Sequence, residues 1–226
     1  MVKKQRKNNS KKKKTSSLEN KSLNQFLWLV VFIVVLILAI IFVPKIYHEI
    51  FNKFEYGGVK FEKMESANLV LYHGQFPIIY KGNLSAIFNT YFRTDPRDNH
   101  IPIETNLTLG KNVVVSFGED VQYCKDIMIG QIGLTQFIRA FPFVKNVSSG
   151  ATTDEVAELY NISKFDCKNA SMDRTVIIIQ KSENASIVSG SKNNCFILNV
   201  GDCKYLPTVE RFVMGAMAQI NEKSID

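Results

Sequence analysis

The chain has 226 residues, 46% of them hydrophobic, and a net charge of +7. That charge is lopsided: residues 1 to 22 hold nine Lys or Arg against Glu19 alone, a balance of +8, while everything after Val43 carries −1. The whole basic balance therefore lives in the tail, and that tail lacks the interleaved aromatic residues that base stacking needs.

The tail, residues 1–23, has almost no apolar residue before Leu18, so it cannot bury a core and is expected to be disordered. It is followed by eighteen consecutive apolar residues, Phe26 to Val43. As a helix rising about 1.5 Å per residue this run measures roughly 27 Å, close to the hydrocarbon thickness of a bilayer. A single strand could not satisfy its backbone in lipid, so the run reads as a helix despite its β-branched residues. Its length, and its ending in Ile-Phe-Val-Pro-Lys with no small-residue pair, favour an uncleaved signal anchor over 24–44 rather than a removed signal peptide. Trp28 and Tyr47 stand where interfacial aromatics belong, and the lysine-rich tail is retained inside, which puts residues 45–226 outside. The partners implied are the lipid bilayer and, for the tail, anionic lipid headgroups; no nucleic acid is expected. Ile46, Ile50 and Phe54 recur every four residues, so a short amphipathic stalk is expected over 45–56.

Two features of residues 57–226 report on their compartment. Six Asn-x-Ser/Thr sequons, at Asn83, Asn106, Asn146, Asn161, Asn169 and Asn184, stand where chance would give roughly two, and mark possible glycosylation sites. All four cysteines, Cys124, Cys167, Cys195 and Cys203, lie beyond the anchor, and an even number in an oxidising compartment favours two disulfides. A zinc site is the rival, but there is no Cys-x-x-Cys and the three histidines are scattered, so no metal and no cofactor is expected.

The first part of this region reads as strands: Val59–Lys63 and Leu69–Tyr72 bounded by Gly57-Gly58 and Gly74, then Ile78–Tyr80, Ala86–Arg93 and Ile101–Glu104, with a turn over 95–99. Val113–Phe117 is a continuous apolar run of the kind covered on both faces. Apolar spacing then predicts a helix from about 120 to 140, with Gly130 and Gly133 allowing close packing. A strand is expected over Phe143–Val147, a helix from the Thr152-x-x-Glu155 capping pattern to about Tyr160, and a three-stranded meander from 175–180, 185–189 and 195–200. Val209, Phe212, Val213, Ala216 and Ile220 put an apolar stripe on a final helix. The fold class is α/β or α+β, with a β-rich N-terminal half and an αβ sandwich in the C-terminal half, on a single N-terminal transmembrane helix.

A strand from Cys195 to Val200 carries the chain about 16 Å away, too far for Cys203 to return easily to Cys195. In the meander Cys195 lies at the end where Cys167 precedes its own strand, and Cys203 lies at the other end. The expected pairs are therefore Cys167–Cys195 and Cys124–Cys203.

Chemistry is less legible. Nucleophile-elbow, phosphate-loop, zinc-protease and dinucleotide patterns are missing, and Ser189-Gly-Ser-Lys192 reads as a turn rather than a helical Ser-x-x-Lys. No catalytic residue is assigned. The segment Ser148, Ser149, Gly150 and Thr152, between a strand and a helix start, occupies the place where α/β sheets bind ligands; an ordinary capped loop has the same composition. Arg93, Asp95, Arg97, Asp98 and His100 form the densest ionic cluster and a possible charged partner site, although solvated hairpin tips look alike. The expectation is a membrane-anchored extracytoplasmic binding or structural protein, part of an envelope or secretion complex, with an unknown protein or glycan partner. The alternative is a tethered hydrolase or transferase using the 148–153 loop.

Overall fold

A computed structural model describes residues 6–66 and 69–220, with side chains from Phe26 onward. The chain divides into two units, Met1–Phe51 and Asn52–Asp226.

The described residues of the first unit lie within one long helix, α1 (Arg6–Asn52), which contains Pro44. Its Phe26–Asn52 portion is long and apolar enough to cross a membrane, and every residue from Phe26 to Phe51 is exposed. Tyr47 and Phe51 stack at 4.4 Å, one helical turn apart. Of the tail expected to be disordered, residues 1–5 lie outside the described residues and the backbone is helical from Arg6. No proline or glycine interrupts the sequence between there and Pro44. The stalk is helical only to Asn52; Phe54, counted as its last apolar contact, belongs to a strand instead.

The second unit is a mixed α/β domain with two sheets. Its first sheet is an antiparallel meander of β1 (Lys53–Tyr56), β2 (Val59–Ser66), β3 (Leu69–Tyr80) and β4 (Asn83–Phe92), in that spatial order. Two of its turns are dictated by local chemistry. Gly57 and Gly58 both have positive φ between β1 and β2, and Lys81 and Gly82 do the same between β3 and β4. Two central residues with positive φ match the right-handed twist of a tight hairpin.

The second sheet contains β5 (Ile103–Glu104), β6 (Asn112–Phe117), β7 (Asn146–Ala151), β8 (Arg174–Ser182), β9 (Ser186–Ser189) and β10 (Cys195–Gly201), ordered β5-β9-β10-β8-β6-β7. All its pairings are parallel except β9 with β10. The expected meander is therefore corrected: β8 does not pair with β9 but lies parallel to β10, Cys195 opposite Val176. The helices are α2 (Ile127–Arg139), α3 (Asp154–Tyr160) and α4 (Tyr205–Ile220).

Central strands of the second sheet are apolar on both faces, as parallel strands covered by helices must be. Ile177 and Ile179 of β8 join the main core, while Val176 and Ile178 join a smaller cluster with Cys167, Ala170 and Cys195. The main core is a middle layer: α2 and α4 pack side by side between this sheet and the inner face of the meander, represented by Val59, Phe61, Phe76, Ile78 and Phe92. Thirteen of the sixteen residues of α4 are buried.

Two boundaries move from their expected places. The helix expected from 120 begins at Ile127, because Cys124 is tied by a disulfide and Asp126 sits at φ 62°, outside right-handed helix geometry; Glu119–Val121 forms a separate 3-10 turn. The strand expected at 143–147 is shifted to 146–151. Phe143 instead packs beside Phe141 and Tyr80, at ring separations of 5.5 and 6.5 Å.

Candidate functional site

Both disulfides form as the spacing predicts, Cys124–Cys203 and Cys167–Cys195, leaving no free cysteine among the described residues. The parallel β8–β10 pairing is what puts Cys195 beside Cys167, since both strands start at the same end. All six sequon asparagines are exposed. The Asn146 amide donates to Asn112 Oδ1 at 3.0 Å, and Asn169 Oδ1 accepts from the Asp166 backbone at 2.9 Å.

Ser148, Ser149 and Gly150 are not in a loop; they are residues of β7, the outermost strand of the second sheet. A side chain at Gly150 would come within 3.0 Å of both Phe165 and Val114, so the glycine is needed for packing. Thr152 Oγ1 donates weakly to Phe117 O at 3.4 Å, and Thr153 caps α3 by accepting from Val156 N. These contacts account for the segment as a strand end and a helix cap.

The ionic cluster is not a solvated tip either. Arg93 pairs with Asp126 at 3.1 Å, Arg97 pairs with Asp95 through two side-chain bonds of 3.0 and 2.6 Å, and the Arg97 guanidinium lies 3.9 Å from the centre of the Phe54 ring. Burial acts to raise the Asp95 carboxyl, but the bonds from Arg97 outweigh it and hold it below its usual value. Asp98 and His100 are exposed, whereas Asn99 is buried and donates to Pro207 O at 2.7 Å. The cluster thus pins the chain crossing after β4 onto its neighbours.

Three polar side chains of α4 do the same from the other side. Glu210 accepts from Arg93 N at 2.7 Å and from Thr94 N at 3.1 Å. Arg211 donates to Ile101 O at 2.9 Å and to the Tyr56 hydroxyl at 3.1 Å. Gln219 accepts from Leu107 N and donates to Thr105 O, and Thr208 bonds back to Lys204 O. Burial pushes the Glu210 carboxyl up to about 7, against the backbone N–H groups and Arg93, which pull it down. Sequence reading passed over this set. Its signal was two adjacent charges inside an apolar helix, which must be partnered if that helix is buried.

What these clamps leave open is a groove of about 180 Å³ in which β4 and α2 form the walls and α4 the floor. Phe88 to Phe92 form one wall; Ile129, Gly130, Ile132, Gly133 and Gln136 form the other; Leu206, Val209, Glu210 and Val213 lie below. Glu210 is the single carboxylate in the lining, with both its oxygens engaged, and Tyr91 is the other titratable side chain there. The two helical glycines differ. A Cβ on Gly130 would come within 2.8 Å of the Tyr205 ring, whereas one on Gly133 would meet nothing within 4 Å. A shallower hollow of about 430 Å³ on the outer face of the meander is lined by residues such as Lys60, Glu62, His73 and Gln75. There opposite charges face each other across strands, Lys53 against Glu62 and Glu55 against Lys60, as on a solvated sheet face. Among the described residues no group of three or more His, Cys, Asp or Glu could hold a metal ion.

Fold and site together define an apolar N-terminal helix, fit for a membrane anchor or a signal sequence, followed by an α/β domain whose two disulfides suggest an oxidising, extracytoplasmic setting. Comparison with known protein families, with curated proteins and with solved structures finds no match.

Proposed function

We propose that this is a single-pass membrane protein with its N-terminus in the cytoplasm, which displays residues 57–226 outside as a glycosylated binding or structural module of an envelope or secretion complex. It engages its partner through the β4–α2 groove. The observation that carries this reading is the character of that groove: an apolar trough beside a sheet edge, whose one carboxylate is already consumed by two backbone N–H groups. An apolar trough of this kind suits recognition of an extended chain, which is held by main-chain hydrogen bonds at a sheet edge. A hydrolase or transferase built on residues 148–153 loses its main support, because four of those residues lie within a strand and the threonines bond to neighbouring backbone. The basic tail supports the orientation and the contact with anionic headgroups, and the exposure of all six sequons supports glycan attachment.

The test is protease protection on intact and permeabilised cells that perform N-glycosylation, with glycosidase treatment and non-reducing peptide mapping. The expected result is a domain cleaved in intact cells, a gel shift on glycan removal and both disulfides recovered. A domain protected in intact cells and exposed only after permeabilisation would refute the topology.

A further inference from the structure

Three properties of the groove are left unexplained by the packing of one chain. The first is the edge itself. β4 is the outermost strand of its sheet, so among the described residues no strand takes up its outward N–H and C=O groups. Exposed edges are normally protected by charge, by proline or by a bulge. The ten residues Asn83–Phe92 contain no charged residue and no proline. A register shift opposite Ile78 and Ile79 places one bulge at Ser85, and beyond it Ala86–Phe92 runs uninterrupted.

The second is exposed apolar surface on both sides of that edge: Ile87 and Tyr91 are 55% and 57% exposed, and Ile129 and Ile132 on α2 are 41% and 54% exposed. The third is Gly133. Glycine in a helix interior costs about 1 kcal/mol relative to alanine, yet nothing in the chain approaches this position closely enough to require it. None of the six sequon asparagines lines the groove.

We propose that the occupant is a second copy of this chain, its β4 pairing antiparallel with β4 and its α2 packing on α2 across a two-fold axis. A two-fold interface must be self-complementary. An uncharged strand beside an uncharged apolar helix face meets that condition, since no like charges are brought together. Pairing joins two four-stranded meanders into one eight-stranded sheet and fills the space over Gly133. Seven residues at about 3.4 Å make an edge roughly 24 Å long. The sheet layer and the helix layer beneath it are each about 10 Å thick, so a strip of about 24 by 20 Å buries on the order of 500 Å² per copy, or about 1,000 Å² in all. That stands at the lower limit for a specific interface, so the dimer is weak in dilute solution and forms when both copies share a bilayer, where tethering raises their effective concentration. The assignment rests on the anchored topology proposed above, and it names the partner of the same groove.

The test uses the full chain, fluorescently labelled and reconstituted in phosphatidylcholine vesicles over a hundredfold range of surface density, with subunits counted by photobleaching. Orientation in the same vesicles is read by protease accessibility, so failure of the topology is scored separately from failure of the pairing. The wild type is expected to pass from one to two subunits as density rises. Ile132→Lys, which sets two ammonium groups across the axis, should raise the density needed at least tenfold, as should Gly133→Leu. Leu159→Lys, on the exposed side of α3, should change nothing. Retention of both disulfides and of thermal unfolding in each variant shows that the fold is intact. A correctly inserted wild type that stays monomeric at every density overturns the proposal, and so does Ile132→Lys pairing like the wild type.

Discussion

Glu210 makes the stability of this domain depend on pH in a direction opposite to that of most carboxylates. Its folded value is raised from 4.5 to about 7 by burial. The native state therefore holds a proton that the unfolded chain releases above pH 4.5, so this contribution to stability is complete below pH 4.5 and is lost as pH rises through 7. A rise from 4.5 to about 7 corresponds to roughly 3 kcal/mol in full. Of this, about 2 kcal/mol is gained on acidifying from pH 7.5 to 5. Asp95, whose carboxyl is lowered, acts in the other sense but in a separate window, below its usual value of 3.8. For a folded unit of this size, 2 kcal/mol moves the unfolding midpoint by about 4–8 °C. Thermal unfolding of the full chain in detergent, followed by circular dichroism with the disulfides intact, should show that rise between pH 7.5 and 5. Glu210→Gln, which cannot titrate, should flatten it while lowering stability at pH 5, because an amide offers one acceptor to the N–H groups of Arg93 and Thr94. A wild type whose midpoint is level or falls toward pH 5, or a Gln variant with an unchanged slope, would show that burial does not dominate at Glu210.

The disulfides give two further expectations. They close separations of 28 and 79 residues. Loop entropy alone then puts the loss at about 3.6 kcal/mol for the double Cys167→Ser, Cys195→Ser variant and about 4.5 kcal/mol for Cys124→Ser, Cys203→Ser, measured by urea unfolding; equal or reversed losses would contradict a loop-length origin. Gly190→Ala aims at the same bridge: a methyl there runs into Cys167 Sγ and Cys195 Sγ. Peptide mapping of that variant should show partial loss of the Cys167–Cys195 pair with Cys124–Cys203 retained, and full retention of both would mean the turn at 190 yields easily.

What could be read from the sequence was what repeats locally. The apolar run at Phe26–Val43, the Gly57-Gly58 turn, the run at Val113–Phe117 and the stripe on the last helix each announce themselves within a few residues. Strand order does not. Three short strands at 174–201 read as a meander because consecutive strands usually neighbour one another. What decides otherwise is a long-range fact: β8 already has β6 on one side, and the disulfide holds the start of β10 on the other. Phe143 and Val144 suggested a strand, yet they pack in the turn, and the polar stretch Ser148–Gly150 forms the strand because an edge position tolerates polar residues on its open side. The groove was out of reach for the same reason, being assembled from three segments, 88–92, 129–136 and 206–213, that lie far apart along the chain. Its glycines looked equivalent in sequence; only the fold tells Gly130, backed by Tyr205, from Gly133, which faces open space.

The distribution of buried polarity ties these observations together. Buried polar groups are tolerated only when partnered, and in α4 the partners of Glu210 and Gln219, and the Ile101 carbonyl that Arg211 meets, lie on the stretch from Arg93 to Leu107, which leads from one sheet to the other. Glu210 takes the two N–H groups immediately beyond Phe92, so it fixes the end of β4 over the helix layer and with it one wall of the groove. Both its oxygens are committed to holding that wall, which leaves the trough apolar and its edge without protection. A surface of that kind is suited to lengthening a sheet, and the chain that meets it most often in a shared bilayer is its own copy.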